Sequence, residues 1–119
     1  MLRLPIVHNR RPGYSYLGEL NDTIVRQISL ETAQPRLDYA VLEQLPDKHL
    51  ILGALDLGDP EVESPETVAE RIRAALVHLP AERLTIAPDC GMKYLPRATA
   101  FEKLRAMVEG ARIVRAELE

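Results

Sequence analysis

The residues of this chain best placed to do chemistry are Glu31, Asp56, Asp89 and Cys90. Each stands just past an apolar run with strand character: Glu31 after Ile24 to Leu30, Asp56 after His49 to Leu55, and Asp89-Cys90 after Arg83 to Ala87. Where strands run parallel, their C-terminal ends and the loops beyond them form one functional rim, so these side chains belong to one end of a sheet. A carboxylate at a strand end commonly caps the next helix or turn. Glu31 differs, because it stands directly on an apolar strand and several residues ahead of its helix. A metal suits the set better than acid–base chemistry, since zinc accepts cysteine sulfur, histidine nitrogen and carboxylate oxygen together. Glu31 and Cys90 are the candidate ligands. Cys90 is the single cysteine, which excludes an internal disulfide and leaves a buried spectator, a nucleophile or a metal ligand. Asp89 reads either as an acceptor of backbone N–H groups at its turn or as a partner that orients a neighbouring group.

Three βα units position these residues. The first joins the strand at 24–30 to a short helix from Pro35 to Leu45, with Leu37, Val41 and Leu45 at helical spacing and Pro35 in the first turn. The second joins His49–Leu55 to a helix capped by Ser64, opened by Pro65 and favoured electrostatically by Glu66. Its apolar stripe is Val68, Ile72, Ala75, Leu76 and Leu79, and Pro80 closes it. The third joins Arg83–Ala87 to a helix from Pro96 to Leu118, with an expected buried stripe of Ala100, Leu104, Met107, Ala111, Val114 and Leu118, flanked by Phe101 and Val108. Residues 1–23 form a poorly defined N-terminal segment, in which Leu2 to Val7 could add a strand, Arg11-Pro12-Gly13 turns, and Tyr14 and Tyr16 fit either an extended piece or a helix entry. Residues 24–119 carry the α/β pattern.

Composition excludes several function classes. The formal charge of -3 is spread in alternating signs, so nothing calls for a nucleic-acid partner. Apolar runs such as Leu50-Ile51-Leu52 fall far short of the roughly 20 residues of a membrane span. The apolar stretch near Met1 is too short for a secretory signal, and a cytoplasmic protein is expected. His49 and His78 read as solvent-edge or helix-end residues. Lys93, Arg97, Lys103 and Arg105 read as ordinary solvated charges, with attraction for an anionic ligand as the alternative.

The segments Ile28-Ser29-Leu30-Glu31-Thr32, Ala54-Leu55-Asp56-Leu57-Gly58 and Pro88-Asp89-Cys90-Gly91-Met92-Lys93 resemble the C-terminal part of cobalamin-independent methionine synthases. Residues 61–66 before the second helix and Pro80-Ala81-Glu82-Arg83-Leu84 before the third strand are similar too, so the likeness runs from Val25 to Leu118. It implies a partial (β/α)8 barrel of three to four C-terminal units. It also implies a zinc ion held by His, Cys, Glu and Cys, which binds the sulfur of homocysteine as a nucleophile toward the methyl group of methyltetrahydrofolate. On that resemblance Glu31 matches the glutamate ligand, Cys90 the last cysteine ligand, and Asp56 a substrate-binding position at the rim.

Two departures accompany the match. The His-x-Cys pair belongs on the strand before Glu31, where this sequence has only His8 with Arg10 two residues later. Gly58 stands where the family carries a histidine thought to donate a proton, so no catalytic residue is assigned here. A whole barrel takes about 250 residues, and this chain has 119. The expectation is a fragment of the catalytic region, incomplete alone, with a homo-oligomer or a complementary barrel chain as partner. The competing expectations are an inactive remnant serving as an interaction or assembly module, and half of a split methyltransferase.

Overall fold

The computed structural model describes residues 16–119. The strand candidate at 2–7, His8, the turn at 11–13 and Tyr14 lie outside the described residues. Tyr16 precedes a four-residue helix α1 (Leu17–Leu20), which buries Leu17. Three strands follow, β1 (Gln27–Glu31), β2 (His49–Gly53) and β3 (Leu84–Ala87), paired in the order β1-β2-β3 with all neighbours parallel. Between β2 and β3 lies helix α2 (Pro65–Leu76), and after β3 comes helix α3 (Arg97–Leu118). An arc of parallel strands with its connections on one side is the α/β architecture of a partial barrel.

The register fixes what each face presents. Leu30, Leu52 and Ile86 form one row across the sheet, and Ile28, Leu50 and Leu84 another. Leu30, Leu50 and Leu52 are fully or nearly fully buried, in one cluster with Leu42, Leu45, Ala75 and Leu79. A second cluster gathers Ala54, Leu55 and Leu57 from beyond β2, Val68, Ala69 and Ile72 from α2, and Val114 from α3. Leu84 and Ile86 touch both. Alternation along a strand puts Gln27, Ser29, Glu31 and Thr85 on the opposite face, where all four are exposed. His49 opens β2 on that face, its Nε2 2.7 Å from Thr85 Oγ1, rather than at a bare solvent edge. His78 lies just past α2, 3.3 Å from Glu43, as a helix-end residue.

Helix α2 begins as its sequence dictates. Ser64 is extended and its Oγ accepts the Thr67 N–H at 3.1 Å, with Pro65 in the first turn. Of its expected stripe, Val68, Ile72, Ala75 and Leu79 are buried. Two expectations need correction. No α-helix spans Pro35 to Leu45; a 3₁₀ helix covers Tyr39–Gln44 instead, capped by Asp38, whose carboxylate accepts the Ala40 N–H. Arg36 takes a left-handed conformation (φ 51°), which interrupts the helix that Pro35 could have opened. Helix α3 is also rotated from its expected face. Lys103, Ala106, Gly110 and Val114 are buried, whereas Phe101, Leu104, Val108 and Leu118 are exposed.

Gly110 explains that rotation. A Cβ there would lie 2.7 Å from Val68 Cβ and 2.8 Å from the Pro65 carbonyl oxygen, so the two helices meet where one has no side chain. The bulkier residues are displaced from the contact. Alanine gains about 1 kcal/mol of helix propensity over glycine, but overpacking against backbone costs about 1–3 kcal/mol. Gly110→Ala is therefore expected to lower the urea midpoint of unfolding without changing its slope; a raised midpoint would contradict the contact.

Candidate functional site

The three strand ends converge through one side chain. Asp89 is buried, and its Oδ1 accepts the N–H groups of Thr32 at 3.2 Å and Ala33 at 3.1 Å while Oδ2 accepts that of Gln34 at 2.6 Å. Thr32, buried as well, donates its hydroxyl to the Gly53 carbonyl at 2.6 Å. The loop after β1 is thus bound to the end of β2 and to the loop after β3. Backbone bonds extend the sheet beyond its strands, from Ala54 N–H to the Ala87 carbonyl and from Asp89 N–H to the Leu55 carbonyl.

Gly53 makes the crossing possible. A Cβ at this position would fall 2.8 Å from Asp89 Cα and closer still to its Oδ1. A glycine within a strand signals such a close approach. The clamp holds the amides of residues 32–34, and the loop then turns through bonds from the Arg36 N–H to the Ala33 carbonyl and from the Leu37 N–H to the Thr32 carbonyl. Burial raises the Asp89 carboxyl above its ordinary range; the three backbone donors oppose that effect and the Asp56 charge adds to it. Tyr39, near Thr32, Arg71 and Asp89, is likewise raised by burial.

Glu31 is the last residue of β1, exposed, in register with Gly53. Cys90 is an exposed free thiol in the loop after β3. Each is the immediate neighbour of a clamp residue, Thr32 in one case and Asp89 in the other. The clamp ties the residue after Glu31 to the residue before Cys90. Asp56 lies in the loop after β2, its Oδ1 accepting the Gly58 N–H at 2.9 Å.

A buried ionic cluster holds that loop. Glu63 Oε2 accepts the Asp56 N–H at 2.7 Å and a bond from Arg71 at 3.0 Å, while Oε1 pairs with Lys103 Nζ at 2.7 Å. Lys103 also donates to the Asp56 carbonyl at 3.0 Å, and Arg71 to the Ala54 carbonyl at 2.7 Å. Lys103 has no exposed surface, which corrects its reading as a solvated charge. Burial pushes the Glu63 carboxyl up, but Lys103, the Asp56 amide and Arg71 together outweigh it and leave the carboxyl below its ordinary value. Sequence reasoning missed Thr32, Tyr39, Glu63 and Arg71 as parts of the site; Gly53 within a strand was the one local sign of the clamp.

Zinc donors are only partly present. Glu31 and Cys90 are donors that zinc accepts, but among the described residues no three His, Cys, Asp or Glu side chains are grouped to hold a metal. A catalytic zinc takes three protein ligands, so these residues alone do not make the site. No helix among the described residues is long and apolar enough to cross a membrane.

Comparison with known proteins gives this rim its class. Residues 14–113 match the family model described as the cobalamin-independent synthase catalytic domain. The chain is 45% identical over 110 residues to a methionine synthase of Thermococcus kodakarensis, covering 89% of this chain and 32% of that protein. With a methionine synthase of Saccharolobus solfataricus it is 39% identical over 119 residues, covering 96% and 35%. A B12-independent methionine synthase from a Shewanella species, solved in complex with selenomethionine, superposes with a TM-score of 0.83 at 33% identity, over 86% of this chain and 30% of that one. The chain belongs to the cobalamin-independent methionine synthase family. It spans about a third of the length of the curated relatives it matches.

Two outcomes test the site. Asp89→Ala strands three N–H groups, at least two of them buried, and is expected to cost on the order of 2 kcal/mol or more in chemical denaturation; a loss below about 0.5 kcal/mol would mean that water replaces the carboxylate. Because the folded carboxyl of Glu63 lies below its ordinary 4.5, its contribution to stability is full above that value and is lost as pH falls through the folded one. The drop in stability of the wild type across this acid range is expected to shrink in Glu63→Gln, measured by urea unfolding at successive pH values.

Proposed function

We propose that this chain contributes the C-terminal rim of a thiol methyl-transfer site, with homocysteine as methyl acceptor and methyltetrahydrofolate as donor. Glu31 and Cys90 are two donors to a zinc centre completed by groups beyond the described residues, and Asp56 contacts the amino-acid substrate. The observation that carries the reading is the Asp89 clamp, which ties the residue after Glu31 to the residue before Cys90. Bound zinc favours thiolate over thiol in a sulfur ligand. What the chain's own residues supply is fixed donors: Glu31 at the end of a paired strand and Cys90 beside a buried anchor. The family membership and the methionine synthase names of its relatives support the chemistry.

A second reading follows from Gly58, which carries no transferable proton, and from the incomplete donor set: a non-catalytic remnant that serves as an interaction module or pairs with a complementary barrel chain. Zinc competition against a chromophoric chelator separates the two. The methyl-transfer reading expects zinc affinity to fall at least about tenfold in both Glu31→Gln and Cys90→Ser, since each removes a ligand. Equal affinity in the wild type and the two variants would remove both residues from the metal and leave the remnant reading.

A further inference from the structure

Lys103 is the one lysine with no exposed surface, and it stands on a helix where the apolar pattern alone would not bury it. Taking an ammonium and a carboxylate out of water costs several kcal/mol per ion, and apolar side chains of similar volume commonly stabilise a fold as well or better. Stability is therefore a poor reason for the Lys103–Glu63 pair. Its geometry supplies a better one. The pair grips both backbone polar groups of a single residue, with Glu63 Oε2 accepting the Asp56 N–H and Lys103 Nζ donating to the Asp56 carbonyl. Arg71 adds a third hold two residues earlier, at the Ala54 carbonyl. Charges from α2, α3 and the segment before α2 thus meet on the three residues that leave β2.

We propose that Lys103, acting with Glu63, is a positioning residue that fixes Asp56 at the rim. This rests on the reading of Asp56 as a substrate contact. The pair acts on the backbone, so the Asp56 carboxylate remains directed by its own short turn, in which Oδ1 accepts the Gly58 N–H. A change on the outer helix α3 then reaches the rim without touching substrate.

Amide hydrogen exchange on the ligand-free chain tests the grip, using Lys103→Met, which fills the space without a donor, and Lys103→Gln, which keeps a neutral donor. In Lys103→Met, exchange at Asp56, Gly58 and Asp59 is expected to rise at least about tenfold, the effect of losing a hydrogen bond from a charged group, while Leu50 and Leu52 in β2 hold their rates. Both variants remove the cation paired with the buried Glu63 carboxylate and are expected to unfold at lower urea than the wild type. Loop exchange that rises by more than the loss of global stability accounts for, and less in Lys103→Gln than in Lys103→Met, distinguishes positioning from packing. Loop exchange that merely follows global stability, in either variant, overturns the proposal. Titration with L-methionine then separates the grip from its purpose. Binding by the wild type that weakens about tenfold in Lys103→Met supports the proposal, and equal binding by both overturns the role at the rim. If the wild type binds none, the substrate reading of Asp56 fails and the role at the rim fails with it, whatever the exchange rates show.

Discussion

Three backbone amides and one buried carboxylate organise this molecule. Parallel strands leave their C-terminal loops unpaired, and loops of different length would otherwise diverge from the sheet. Asp89 prevents this for two of the three by accepting three consecutive amides that the ladder leaves unpaired. The cost is a desolvated carboxyl whose burial raises its pKa, offset by donors that water would otherwise satisfy. The requirement passes down the sheet to position 53, where only a residue without a side chain lets the aspartate cross.

The third loop is held by different means. Besides its backbone bonds to the loop after β3, it is bound by charges on α2, on α3 and on the segment before α2, which couples both helices to the rim. The helices themselves meet closely at Gly110. The outer layer therefore does more than cover the sheet, because its packing sets where Lys103 stands and so how the loop leaves β2.

Much of this was legible in the residues. Three strands, the Ser64 cap and most of the Val68–Leu79 stripe follow from local chemistry; the first strand begins at Gln27 rather than Ile24, and Leu76 is only partly buried. The short family segments carried the family and pointed to Glu31, Asp56 and Cys90 as candidates at the strand ends. The failures share a cause. The helix expected from Pro35 is broken by the left-handed Arg36, in a loop whose start Asp89, more than fifty residues away, holds at residues 32–34. The face of α3 cannot be read from hydropathy when its tightest contact is a glycine and its most buried large side chain is a lysine. Periodicity counts apolar residues; it does not register a long-range hydrogen bond or a buried charge that has found its partner.

The sequence contains one cysteine, and it is exposed directly beside the clamp. A maleimide dye or spin label added to the native chain therefore attaches at one defined point, with no background thiols to remove by mutation. Its mobility would report the state of the Asp89 loop from one residue away, which turns a candidate ligand into a built-in probe of the rim's order.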